Sequence, residues 1–252
     1  MKIAFLSGGA REQALRYILE RGENVCAVLT PLLKESNRRF EKVILSAIEY
    51  GVPVFPVTRE SVKEVLSEIK PDIIVSCGFP YIVDQSVISL ARYAINVHPT
   101  LLPKYRGYRS GPYILINGEQ ESGVTVHFIT PEMDRGDILI QRKFPVSPFD
   151  TTASMYRKSQ EIEPTCLYEA LSLLKSGEVT TQPQNEEEAS EYLHLRTPVD
   201  SQIDPQRSLT ELFNEIRACD PESYPAYFYH ENEKVCIKIW RPEKSAIDQD
   251  MI

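Results

Sequence analysis

Asn96-Val97-His98-Pro99 holds the residue types in this chain most readily turned to chemistry. In an extended segment, positions i and i+2 project to the same side. Asn96 and His98 therefore leave the backbone together, while Ile95 and Val97 face the other way. Pro99 stops the strand after them and leaves the polar pair at its carboxyl end, where open parallel sheets form their ligand crevices. A carboxamide beside an imidazole suits a reaction in which an attacking amine loses a proton while a carbonyl oxygen gains charge. The same pair also fits a purely structural constellation. Ser7-Gly8-Gly9-Ala10-Arg11 lies between a strand and a helix, where exposed backbone N–H groups meet phosphates. It lacks both the GxGxxG spacing and the GK[ST] of a P-loop, so a plain tight turn fits it equally well. Asp134, before Arg135-Gly136, reads by itself as a turn-forming aspartate, and His127 reads as a structural residue on an alternating strand.

These groups need a scaffold, and the apolar pattern supplies one. Strands are expected over residues 2–7, 25–30, 52–57, 72–77 and 93–98, with helices over 10–21, 37–50 and 61–70. Strand and helix in repetition give an α/β fold of Rossmann type, with a mostly parallel sheet covered on both faces. Residues 123–129 and 137–146 then read as a hairpin, and 151–175 as a long helix ending at Gly177. A polar, acidic connector follows, and a boundary is expected near residue 190. Residues 1–190 would form the main domain. Residues 191–252 would form a small extension with an arm, a helix over 208–219 and a hairpin of 226–230 with 234–240.

Composition narrows the function. Of 252 residues, 25% are charged and 42% apolar, as in a globular enzyme. The 28 Lys and Arg face 36 Asp and Glu, so a net charge of −8 disfavours nucleic acid and anionic membranes as partners. No run reads as a signal peptide or a membrane span. Five cysteines without a CxxC pair point to reduced thiols in the cytoplasm and argue against a metal site.

Three linked motifs sharpen the reading: Asn96-Val97-His98 before Thr100-Leu101-Leu102-Pro103, the strand Gly123-Val124-Thr125, and Met133-Asp134-Arg135-Gly136. In this order and spacing, residues 1–190 resemble the N10-formyltetrahydrofolate-dependent formyltransferase family. The resemblance implies an enzyme that moves a formyl group from that folate co-substrate to a primary amine, without a metal. It places Asn96, His98 and Asp134 as the catalytic trio: His98 takes the amine proton, Asn96 holds the developing oxyanion, and Asp134 supports His98. It places the folate on the loop after the fourth strand, at Phe79, Tyr81, Ile82 and Val83.

The acceptor separates the branches of that family. Residues 191–252 hold 12 Asp and Glu against 7 Lys and Arg, which does not suit the tRNA face of a methionyl-tRNA formyltransferase. A glycinamide ribonucleotide transformylase leaves this segment unexplained. The run from Arg196-Thr197-Pro198 to Asp204, a helix and Tyr224-Pro225-Ala226-Tyr227-Phe228 look most like the sugar N-formyltransferases. The expected acceptor is therefore a nucleotide-linked amino sugar for bacterial surface glycans such as lipopolysaccharide. Gly9, Lys104, Arg106, Tyr108 and Arg109 are expected to grip it. The hairpin's apolar residues, Phe228, Val235, Ile237, Ile239 and Trp240, would pack on the main domain or form a homodimer. A homologue that binds nucleotide sugars without turnover is the reading from another class.

Overall fold

The structure is a computed structural model and describes residues 1–32, 40–108, 110–194, 196–221 and 224–244. Seven strands form one sheet: β1 (Ile3–Leu6), β2 (Val25–Pro31), β3 (Val54–Val57), β4 (Ile73–Cys77), β5 (Tyr93–His98), β6 (Glu121–Phe128) and β7 (Ile138–Pro145). Their order is β3-β2-β1-β4-β5-β6-β7. The first five run parallel, and β6 and β7 complete the sheet antiparallel.

Both faces are covered, which is why the central strands are apolar without a break. Ile3, Phe5, Ile73 and Val75 point to a face packed by α1 (Glu12–Glu20), α2 (Glu41–Glu49) and α6 (Thr152–Ser176). Their neighbours Ala4, Leu6 and Ile74 point to the other face, under α3 (Val62–Ile69) and α4 (Gln85–Ile88). The long α6 begins at a Thr151–Ser154 capping box and ends where Gly177 turns left-handed at φ 78°. β1 has β2 on one side and β4 on the other, so the chain reverses direction of travel between β1 and β4. Such a switch point opens a crevice at the strand tips.

α5 (Gly111–Ile116) lies between β5 and β6, and the segment after α6 builds the other side of the crevice. That segment runs back beside β7, where Gln182 pairs with Ile138 through both backbone hydrogen bonds. It then forms a 3₁₀ turn (Pro198–Ser201), α7 (Leu209–Arg217), and the hairpin β8 (Ala226–His230) with β9 (Glu233–Ile237). Glu231 and Asn232 both have positive φ, as a two-residue hairpin turn requires. Ile203, Leu212, Ile216, Cys219 and Ala226 make a small core, onto which Phe228, Ile237 and Ile239 pack. Arg217 Nη1 donates to the carbonyls of Ser147 and Asp150, and Thr152 Oγ1 to that of Ala218, tying α7 to α6.

The hairpin's second strand stops at Ile237, short of the expected 240, and Trp240 stays exposed. Two short helices escaped the sequence pattern, α4 and α5, each under two turns and so without a readable period. The expected start of the second helix, residues 37–39, lies outside the described residues.

Candidate active site

Asn96 and His98 stand at the tip of β5 and line a cavity of about 440 Å³. The buried His98 ring places Nε2 2.9 Å from the Tyr105 carbonyl oxygen. A carbonyl can only accept, so Nε2 carries the hydrogen. Nδ1 then presents its lone pair 3.5 Å from Asp134 Oδ2. The basic atom of His98 is thus Nδ1, beside a carboxylate placed to stabilise the proton it takes.

The register of β5 on β6 sets His127 directly opposite Asn96. His127 Nδ1 donates to the Phe128 carbonyl at 2.8 Å, which leaves Nε2 as an acceptor for Asn96 Nδ2 at 3.2 Å. Asn96 Nδ2 also lies 3.4 Å from Asp134 Oδ1, and His127 Nε2 lies 3.5 Å from that same oxygen. These three atoms form an almost equilateral triangle. Its corner at Nδ2 is much narrower than the angle between the two amide hydrogens. The amide thus faces both acceptors while lining the cavity. His127 is more than the structural strand residue the sequence suggested, because it lines the cavity and orients Asn96.

Asp134 reaches this group from the connection between β6 and β7. Its φ of 54° is left-handed, an uncommon state for a residue with a side chain. The turn is held from three directions. Gly136 packs so closely that a Cβ there would sit 1.9 Å from the Phe128 carbonyl oxygen. Gln184 Nε2 donates to the carbonyls of Asp134 and Gly136, each at 2.8 Å. The Gly107 N–H donates to Asp134 Oδ2 at 2.9 Å, from a left-handed glycine against the Tyr192 backbone. Burial alone would push the Asp134 carboxyl up. The charges that His98 and His127 carry when protonated, together with the Gly107 hydrogen bond, outweigh it, so its pKa lies well below the usual carboxylate range.

Other expected site residues divide. Phe79, Tyr81, Ile82 and Val83 all line the cavity, with Phe79 and Tyr81 edge to face at 5.2 Å. Gly9 and Tyr108 line it as well. Two of the expected grips do not. Lys104 turns to Glu119, 3.8 Å away. Arg106 is 1% exposed, with Nε and Nη2 donating to Gln184 Oε1 at 3.0 and 2.7 Å and the guanidinium bound to Glu186. Arg106 is consumed by partners far along the chain and Lys104 stands beside one, which a local reading of a basic loop does not reveal. Arg109 lies outside the described residues.

The cavity also has a wall that the sequence reading gave no role. Arg11, Met155, Tyr156 and Ser159 come from α1's start and from α6. Arg196, Thr197, Ser201, Asp220 and Tyr224 come from the later segment. Thr197-Pro198 with Asp200 is a readable turn signal, but only tertiary packing turns it towards β5. Arg11 pairs with Glu163 at 3.0 Å, the two side chains 5% and 1% exposed. Among the described residues, no cluster of His, Cys, Asp and Glu is disposed to hold a metal ion, and no helix is long and apolar enough to cross a membrane.

The profile described as formyl transferase matches residues 31–171. A methionyl-tRNA formyltransferase of Citrifermentans bemidjiense is 30% identical over 98% of this chain and 79% of its own length. A 4-N formyltransferase from Francisella tularensis superposes with a TM-score of 0.78 at 21% identity, over 94% of this chain and 96% of that one. An N-formyltransferase from Helicobacter canadensis, in complex with folinic acid and dTDP-3-aminofucose, gives 0.69 at 22% identity, over 86% and 79%. HypX from Aquifex aeolicus in complex with tetrahydrofolic acid gives 0.69 at 22% identity over 94% of this chain, which spans only 37% of HypX.

Proposed function

The chain belongs to the formyl transferase family, and from that membership we propose that it moves a formyl group from N10-formyltetrahydrofolate to the primary amine of a nucleotide-linked amino sugar. The product would serve bacterial surface glycans such as lipopolysaccharide. The observation that carries the reading is the meeting of Asn96, His98 and Asp134 at one cavity that extends to both faces of the sheet. On the α3–α4 face, Phe79 and Tyr81 pack with the cluster under those helices and offer flat walls to a pterin. On the α6 face, Met155 and Ala218 belong to a separate cluster, beside which the acceptor would enter. The strand tip lies between. We place residues 1–190 as the catalytic body and 191–252 as the extension that closes the acceptor side. All five cysteines are free, as suits a cytoplasmic enzyme.

In this reading the acceptor amine attacks the formyl carbon as a neutral nucleophile. His98 Nδ1 takes its proton, and the imidazolium so formed lies against the Asp134 carboxylate. The Asn96 amide meets the formyl oxygen as charge builds there, a contact whose loss typically costs about 10²–10³ in rate. As the bond from the formyl carbon to the folate nitrogen breaks, the proton held on His98 is available to that nitrogen. The products are an N-formyl sugar and tetrahydrofolate.

The test is formyl transfer from the folate donor to dTDP-, UDP- and GDP-linked amino sugars. Transfer to at least one is expected, with His98→Ala lowering kcat by about 10²–10⁴. Inactivity on every sugar, with transfer to charged initiator tRNA, would support the second reading. The 30% identity to a methionyl-tRNA formyltransferase favours that alternative.

A further inference from the structure

The cavity holds a guanidinium with no ion-pair partner among the described residues. Among the described residues, Arg11 and Arg196 line it. Arg11 is matched internally by Glu163 and lies over the Tyr156 ring at 4.5 Å. Arg196 has no carboxylate within ion-pair distance among the described residues. It is braced along one edge instead. Its Nη2 donates to the Asp200 carbonyl at 3.0 Å, and its guanidinium lies over the Tyr113 ring at 5.6 Å. The Asp200 carboxylate is directed elsewhere, accepting from the Thr197 N–H at 2.6 Å and from His194 at 2.9 Å. Nη2 also lies 4.0 Å from Cys219 Sγ, while Nε and Nη1 make no hydrogen bond to described residues and are left as donors for an oxyanion.

We propose that Arg196 receives the phosphate groups of the acceptor, and so recognises the nucleoside diphosphate half of a nucleotide sugar. The assignment rests on the acceptor reading above and deepens it. It moves the anion grip from Lys104 and Arg106 to the segment after α6. Position agrees with charge. Arg196 opens the turn that forms the cavity wall near Met155 and Ala218, on the α6 side, whereas Phe79 and Tyr81 belong to the α3–α4 side. A phosphate at Arg196 therefore belongs to the amine-bearing substrate rather than to the folate.

The experiment compares wild type, Arg196→Ala, Arg196→Lys and Lys104→Ala. Calorimetry measures binding of free dTDP, UDP and GDP and of the matching nucleosides, and steady-state assays give KM for acceptor and folate donor. Arg196→Ala should raise the nucleoside diphosphate Kd and the acceptor KM about 10- to 100-fold. Donor KM and thermal midpoint should stay unchanged, and nucleoside binding should not respond. Arg196→Lys keeps the charge without the fork and should fall between. Lys104→Ala should match wild type. Equal nucleotide binding by wild type and Arg196→Ala, in an enzyme that formylates nucleotide sugars, would overturn the role of Arg196 alone. A donor KM rising in step would assign Arg196 to the folate. A wild type that binds no nucleoside diphosphate would overturn this proposal together with the acceptor reading.

Discussion

A carboxylate keeps its charge inside a protein only when several neighbours stabilise it, and Asp134 has four, two of them imidazoles that contribute when protonated. His98, His127 and the Asn96 amide lie within 3.5 Å, and the Gly107 N–H within 2.9 Å. Together they outweigh the cost of burial and hold the carboxyl well below its ordinary value. Asp134 therefore remains an anion under all working conditions, and its part is to steady a proton on His98 rather than to give one up. The linkage has a definite sign. A carboxyl depressed in the folded state adds stability that is complete above its unfolded pKa of about 3.9, and that is lost as pH falls through the lower folded value. The gap in unfolding free energy between wild type and Asp134→Asn should accordingly shrink from about pH 4 to about pH 2. Urea midpoints across that range provide the measurement. A gap that widens on acidification would show that the folded carboxyl is not depressed.

The connector after α6 works as a brace for the β6–β7 turn. Gln184 accepts two hydrogen bonds from Arg106 and donates two to the Asp134 turn, while the Gly107 N–H next to Arg106 holds the Asp134 side chain. Gln184→Ala should lower kcat about 10- to 100-fold with both KM values unchanged, because it loosens the aim of a reacting constellation rather than its affinity. Gln184→Glu retains a partner for Arg106 but sets a carboxylate against two carbonyl oxygens. It should be as slow as Gln184→Ala while melting closer to wild type, a split that lost stability alone does not produce. At this scale the sequence was informative where the information is local. Period-two alternation put Asn96 and His98 on one side of β5, and Pro99 ended the strand at the right place. It could not show that Lys104 stands beside Glu119 or that Gln184 and Glu186 bind Arg106, because those partners lie 15 to 80 residues away along the chain. The β5–β6 register that sets His127 against Asn96 is likewise a tertiary fact.

Charge over the whole molecule bears on which acceptor can dock. The chain carries −8 overall, and residues 191–252 hold 12 acidic against 7 basic side chains. Arg196 and Arg11, which line the cavity among the described residues, are both drawn into its interior walls rather than spread over a face. A small diphosphate needs only one such fork. A tRNA needs many outward cations, since its affinity comes from phosphates neutralised along the backbone and from the counterions they release. Resemblance to methionyl-tRNA formyltransferases in sequence therefore coexists with an acidic overall composition. Initiator tRNA should bind this chain with a Kd weaker than about 10⁻⁴ M at physiological salt, at or beyond the weak end of non-specific binding. It should not raise the acceptor KM when added as a competitor. Fluorescence anisotropy with labelled tRNA at two salt concentrations decides the matter. Micromolar binding that falls steeply with salt would reveal a cationic face made by the fold despite the acidic composition, and would transfer the acceptor assignment to tRNA.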